Sequence, residues 1–287
     1  MAILSNRELI ETPAPGIRRY GLFDAATVTD DLSVRNVASG FQFAELDCGT
    51  TVIPYDANCD THPTKTFEEG LDYMGGDPYW LLAAQSCGIV GRSLAEIEAG
   101  VRRAFASDEQ RAVESVVWNG DGAGALPFLT DATATVTTVV PTAPGAGAAI
   151  SALEAAFYAV HGYAGTIHIN TAAYGALAYA DLLYPTAGVL TTLMRSRWSI
   201  GAGYGITGPA DVAPAAGFVW AFMTPQVFVK RTASVNVPNI AQTLNRTTNQ
   251  YQAVAERVYA HAWMCDLVFA VQVPVAAPAV AATPAVP

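Results

Sequence analysis

The chain has 287 residues, of which 52% are hydrophobic and only 14% charged, and its formal net charge is −10. A charged share so far below the roughly 25% of an ordinary soluble domain leaves much of the folded surface apolar or neutral polar, which suits a subunit surrounded by other chains and argues against an isolated monomer. With 25 acidic residues against 15 basic ones and no basic run, a surface that grips a nucleic-acid backbone is excluded, although a container for DNA that does not hold the backbone is not.

In chain order, residues 1 to about 35 carry Pro13, Pro15, Gly16 and the paired Arg18 and Arg19 with no sustained period, and are expected to form an extended arm. Arg7, Glu8 and Glu11 fall before any long apolar run can develop, so neither a secretory signal nor a membrane anchor is expected. From Phe41 to Tyr55 the apolar residues Phe41, Phe43, Leu46 and Val52 sit among polar ones, a strand or hairpin pattern. The polar, glycine-containing stretch 56–76 is expected to be a loop, too long for a compact domain unless it works outside one.

Ser93-Leu94-Ala95-Glu96 has the spacing of a capping box, and Leu94, Ile97, Val101 and Phe105 then recur at three- and four-residue steps. Ala112, Val113, Val116 and Val117 resume the stripe before Asn119-Gly120 ends it. The pattern predicts one helix of about 40 Å at 1.5 Å per residue, or the same segment bent near Ser107. Residues 121–147 are rich in Gly, Thr and Pro, with a β-like centre at Thr135 to Val140. Ile150, Leu153, Phe157 and Val160 mark a second helix closed by Gly162, and Ile167 and Ile169 a short strand. Thr171 is placed to cap a helix through Tyr174, Ala178 and Leu182 that Pro185 stops. After Gly217 the branched and aromatic residues of 218–222, 227–229, 254–261 and 267–273 predict strands.

This order of arm, β segment with long loop, long helix, inserted αβ unit and returning strands resembles the Hong Kong 97 fold of tailed-phage capsid proteins and the related encapsulin shells. Residues 108–120, DEQRAVESVVWNG, are similar to the end of the spine helix in capsid proteins of phages that infect actinobacteria. Gly217-Phe218-Val219-Trp220-Ala221-Phe222, then Val227-Phe228-Val229 and 249–257, are similar to their returning strands. The resemblance implies an α+β fold with an arm over 1–35, a β segment and extended loop over 36–78, and a spine helix with the first part of a peripheral domain over 79–145. An axial αβ domain over 146–216, returning antiparallel strands over 217–273 and a tail over 274–287 complete it. It further implies a major capsid subunit that catalyses nothing and needs no cofactor. Such a subunit forms pentamers and hexamers around double-stranded DNA in the virion, is made in a bacterial cytoplasm, has portal and scaffolding proteins as partners, and contacts no membrane. A separate scaffolding protein is expected, since the long N-terminal scaffolding segment of some members is missing here.

Inter-subunit contacts are then expected at Arg18, Arg19, Lys65, Glu68, Glu69 and Tyr204, with the 56–76 loop lying across a neighbour. Some members cross-link a loop lysine to an asparagine; Lys65 is the only lysine of this loop, but neither the asparagine nor its assisting glutamate can be matched. An encapsulin-type compartment is the alternative within the fold. A cytoplasmic αβ enzyme using the Gly-rich 201–208 loop is the alternative outside it. Gly203-Tyr204-Gly205-Ile206-Thr207-Gly208 matches the dinucleotide fingerprint, but Pro209, Pro214 and Gly217 deny it the helix that would carry a pyrophosphate. Cys59-x-x-His62 with Cys48 offers three zinc ligands without a fourth. Cys48, Cys59, Cys87 and Cys265 are expected to be mostly buried thiols, and His161, His168 and His261 to be core or interface residues.

Overall fold

In the computed structural model, which describes residues 19–44, 73–88, 93–120, 126–238, 244–245, 247 and 250–275, the β-rich C-terminal part of the sequence supplies the centre of two sheets. Along the chain run α1 (Leu22–Ala25), β1 (Thr27–Asp31), α2 (Val34–Ala38), β2 (Phe41–Ala44), β3 (Tyr73–Gly76), β4 (Pro78–Gly88) and α3 (Leu94–Asn119). Next come β5 (Val136–Thr138), α4 (Ala146–His161), β6 (Thr166–Asn170), α5 (Tyr174–Tyr179), β7 (Tyr184–Thr186), β8 (Val189–Thr191) and β9 (Arg197–Gly201). The chain closes with β10 (Phe218–Thr224), β11 (Val227–Thr232), β12 (Leu244–Asn245), β13 (Gln250–Trp263) and β14 (Val268–Pro274).

One sheet sets β1, β11 and β13 side by side, with β4 and the short β12 also pairing with β13. The other has the order β5-β14-β10-β6-β9-β8-β7. Only Pro225 and Gln226 separate β10 in the second sheet from β11 in the first, so a bend in one strand pair joins the two layers. β6 lies mid-sheet with Thr166, Ile167, His168 and Ile169 all buried, so both its faces are covered and its sequence need not alternate.

α3 is a single 26-residue helix, about 39 Å long at 1.5 Å per residue, and does not bend at Ser107. The capping box is formed: the Glu96 N–H donates to Ser93 Oγ at 3.2 Å and the Ser93 N–H to Glu96 Oε2 at 2.6 Å. Ser107 Oγ donates back to the Ala104 carbonyl at 2.8 Å, leaving the helical ladder to run through. Its buried stripe of Ile97, Val101, Phe105, Val113 and Val117 packs with Tyr79, Tyr259 and Trp263 of the first sheet. α4 and α5 cover the second sheet, where Ile150, Leu153 and Phe157 meet Ile167, Ile169, Trp198 and Val271. Gly162 closes α4 at φ 71°, the left-handed conformation that glycine adopts without strain.

Four sequence expectations change. The N-terminal segment is not an arm over its whole predicted length: Leu22–Ala25 form α1, and β1 pairs in parallel with β11, Thr27 opposite Phe228, so Thr27–Asp31 belong to the sheet. Residues 73–76 are strand, not loop; Phe41 faces Gly76 and Ala44 faces Tyr73, and the loop between them, 45–72, lies outside the described residues. Asn170, not Thr171, is the capping residue, accepting from the Ala172 N–H at 2.9 Å, and it caps a 3-10 turn over Thr171–Ala173 that leads into the helix α5. That helix stops at Tyr179, because Asp181 takes φ 52° before Pro185 is reached.

Candidate functional site

Two carboxylates on α3, one half-buried and one buried, tie neighbouring elements to it. Glu109, 13% exposed, accepts at Oε1 from Tyr259 Oη (2.6 Å), Arg231 Nη1 (2.9 Å) and Arg257 Nη1 (2.9 Å). Asp30 on β1 takes Arg231 Nε at 2.7 Å and Arg257 Nη2 at 3.2 Å, so one cluster ties α3, β1, β11 and β13 together. Burial and the Glu109 carboxylate push the Tyr259 hydroxyl far up, which keeps it a donor at any ordinary pH. Arg257 also donates from Nε to the Thr232 carbonyl and from Nη2 to the Ala233 carbonyl, so four of its five N–H groups are engaged within the cluster.

Glu114, 2% exposed, sits just over one turn further along α3. Oε1 accepts from the Leu22 N–H at 3.2 Å, the first residue of α1, and from Gln110 Nε2 at 2.9 Å; Oε2 accepts from the Gly203 N–H at 3.1 Å. Glycine is required around this carboxylate. A Cβ on Gly201 would stand 2.3 Å from Glu114 Cδ, and one on Gly203 would meet the Arg111 carbonyl oxygen at 1.9 Å. The remaining glycines of the loop do the same elsewhere: a Cβ on Gly205 would lie 2.7 Å from Trp118 Nε1 and one on Gly208 2.3 Å from the Trp220 ring. The G-x-G-x-x-G spacing is therefore a close-packing pattern against α3 and β10.

Tyr204 corrects its sequence expectation. Its side chain is 2% exposed, so its contacts are internal to the subunit: its hydroxyl lies 3.1 Å from His168 Nδ1 and 2.6 Å from Ser199 Oγ. His168 Nε2 is 2.9 Å from Thr224 Oγ1. Burial, and secondly the nearby His261, lower the His168 imidazole to about 3, while burial and then the Glu114 charge raise the Tyr204 hydroxyl well above 10.0. The pair is a hydrogen-bonded core network closed to solvent. Arg19 is exposed at the start of the described chain; Arg18, Lys65, Glu68 and Glu69 lie outside the described residues, as do Cys48, Cys59 and His62. Cys265, 1% exposed, is buried but disulfide-bonded, and so is not one of the free thiols that most of the cysteines were expected to be.

The outward surfaces carry what an isolated subunit has little reason to show. On β4, Tyr79, Leu81 and Ala83 face α3, which turns Trp80 (55% exposed) and Leu82 (63%) to the opposite face. A second apolar groove lies where the β2–β3 ribbon crosses the first sheet, between Phe41, Phe43 and Phe228, with Lys230 and Met264 at its edge. At the far end, Leu193 is 77% exposed beside Met194, on a turn that buried Glu154 holds by accepting from Thr192 Oγ1 and Ser196 Oγ, both at 2.6 Å. Among the described residues no group of His, Cys, Asp and Glu is placed to hold a metal, and no helix is long and apolar enough to cross a membrane.

No family model and no curated protein matches the sequence. Among solved structures, the capsid of an empty GTA particle computed with C5 symmetry is similar, with a TM-score of 0.59 at 15% identity over 94% of this chain and 96% of that one. A Mycobacterium phage Cain structure is similar with a TM-score of 0.56 at 12% identity, over 91% and 93% of the two chains. The chain has the Hong Kong 97 fold. The holo-SrpI encapsulin complex from Synechococcus elongatus shares it, with a TM-score of 0.58 at 10% identity over 96% of each chain.

Proposed function

We propose that this protein is the major capsid subunit of a tailed bacteriophage, building an icosahedral shell of pentamers and hexamers around double-stranded DNA. The observation that carries the reading is end-to-end coverage: 94% of this chain and 96% of a GTA capsid chain follow one arrangement. The exposed faces at Trp80, Leu82 and Leu193 support it, because apolar surface of this kind gains free energy when a neighbour covers it, at about 25 cal/mol per Å². In this reading the work is mechanical and the virion is the protein's final location, after synthesis in the host cytoplasm. The spine helix, pinned by Glu109 and Glu114, gives stiffness; the loop that leaves Ala44 and returns at Tyr73, with Lys65, Glu68 and Glu69, reaches a neighbour. The unit over 146–216 faces the symmetry axis, and the strands of 217–273 return through the periphery. Portal and scaffolding proteins complete the set of partners, and the acidic chain encloses DNA without gripping its backbone.

Negative-stain electron microscopy of the expressed protein, paired with its mass distribution, tests this. Closed shells, or rings of five and six, are the expected result; a discrete dimer or tetramer that persists with a candidate scaffold would overturn it. The Synechococcus likeness supports a second reading, an encapsulin-type compartment. Nuclease-protected DNA in shells purified from infected or lysogenic cells decides for the phage, and co-purifying protein cargo for the compartment.

A further inference from the structure

We propose that the shallow groove between the start of α4 and α5 is the docking site of this chain's own C-terminal segment, residues 276–287. The groove holds about 380 Å³ and no charged side chain lines it. Its walls are Pro141, Pro144 and Pro274, its floor is Ala146 and Ala149, and the Tyr179 and Phe218 rings, 63% and 37% exposed, stand at the rim. Gly145 and Gly147 have open space where a Cβ would be, so nothing projects from that side to block a chain lying along it. Aromatic rings over a smooth, proline-walled floor are the surface that takes an extended polyproline-type segment, which is already stiff and so loses little entropy on binding.

The chain itself delivers such a segment. β14 ends at Pro274, part of the groove wall and paired with Phe218 at its rim, and the Val275 N–H donates to the Gly217 carbonyl at 2.9 Å. The backbone therefore leaves the sheet at the groove's edge. The remaining residues are Ala276-Ala277-Pro278-Ala279-Val280-Ala281-Ala282-Thr283-Pro284-Ala285-Val286-Pro287, uncharged throughout, with prolines that bar a helix and lack the N–H groups of a central strand. Extended at about 3.1 Å per residue, the segment reaches roughly 37 Å. Because it is tethered, an effective concentration on the order of millimolar holds it even when each contact is weak. Gln272, whose Oε1 is occupied by the Ala215 N–H at 2.9 Å, keeps its amide hydrogens for a carbonyl of the docked segment.

Elastase, which cuts after small apolar residues, reads the docking directly on the full-length chain at concentrations below assembly. Two variants are compared with the native sequence by mass spectrometry: Tyr179→Ser with Phe218→Ser, which removes the rim, and Val280→Asp, which charges the segment without touching the described fold. Cleavage within 276–287 is expected to accelerate about tenfold in both, the consequence of losing aromatic anchors or of burying a charge. Hydrogen exchange of residues 145–150 is expected to quicken in Val280→Asp. Cleavage rates equal to the native protein's in a Val280→Asp chain of native circular dichroism overturn the proposal. So does groove protection that appears only on assembly and is the same in Val280→Asp, since that outcome gives the groove to a second copy.

Discussion

Replacing Glu114 with Gln is the sharpest test of how α3 holds the rest of the subunit. The substitution keeps shape and volume but leaves one acceptor oxygen where the carboxylate has two. Oε1 now serves the Leu22 N–H and Gln110, and Oε2 serves the Gly203 N–H. If the amide oxygen takes the first position, its NH2 faces the Gly203 N–H, donor against donor, in a site 2% exposed; the opposite rotamer strands Leu22 instead. One charge-assisted bond is lost and one buried donor is left unsatisfied, each worth about 1–3 kcal/mol, while the desolvation of a buried negative charge is relieved. A net loss of about 2 kcal/mol is expected, which for a chain of this size lowers the melting temperature by roughly 4–8 °C. Thermal unfolding of the unassembled subunit measures it, and hydrogen exchange locates it in α1 and the 201–208 loop. A change under about 0.5 kcal/mol would refute the reasoning, because it would mean the carboxylate is not what satisfies those amides.

Two glycine substitutions should move in opposite directions: Gly203→Ala destabilises because its Cβ meets the Arg111 carbonyl at 1.9 Å, whereas Gly175→Ala, in a helix with open space, stabilises by about 0.4–1 kcal/mol in denaturant melts. For pH, His168 is held near 3 against an ordinary 6.5, so the unfolded chain binds its proton first. Its stabilising contribution is complete above pH 6.5 and is lost as pH falls toward 3, at up to about 1.4 kcal/mol per unit. Urea midpoints between pH 6.5 and 5 should therefore fall less steeply in His168→Gln than in the native chain; parallel slopes would contradict the buried, neutral imidazole. Trp80→Thr with Leu82→Thr should leave subunit melting within about 0.5 kcal/mol and abolish shells in electron micrographs, and normal shells would remove that face from the interface. Replacing residues 45–72 by a short turn, which the Ala44–Tyr73 pairing allows, should likewise leave a folded subunit that closes no shell.

The elements legible in the sequence were those whose local signals agree with their surroundings. α3 carried a capping box, a continuous apolar stripe and a terminal glycine, and all three are used. α4, β10, β11, β13 and β14 were legible for the same reason, being apolar on the face that is covered. β4 was not, because Pro78-Tyr79-Trp80-Leu81-Leu82-Ala83-Ala84 is apolar at every position; a strand with one face in the core and the other awaiting a partner loses the alternation that marks a strand. β7, β8 and β9 are only three to five residues long and escaped, and β1 did because the strand formers Thr27-Val28-Thr29 run straight into Asp30 and Asp31, which strands disfavour, and so lack a sustained signal. Pairing with β11, together with the Asp30 ion pairs, overrides that lack.

The functional residues were hidden for a different reason. A catalytic site concentrates chemistry in a few side chains whose spacing can be recognised, but in the capsid reading proposed above the work is spread over surfaces, and no motif encodes a surface. Tyr204 shows the difficulty: its glycine-flanked position suggested an exposed loop near an axis, yet those glycines exist to press the loop against α3, which buries the ring between His168 and Ser199. The informative signal was the mismatch between composition and an ordinary surface. A chain with 14% charged residues that still buries Glu114 and Glu154 and half-buries Glu109 has spent scarce carboxylates on internal stitching, while Trp80, Leu82, Leu193 and Phe218 stand exposed. In the proposed capsid reading neighbours supply the remaining cover, so changes at the outer apolar faces should alter assembly while changes at the inner carboxylates alter folding. A substitution at Glu109 or Glu114 that spared folding and blocked only assembly would break that division.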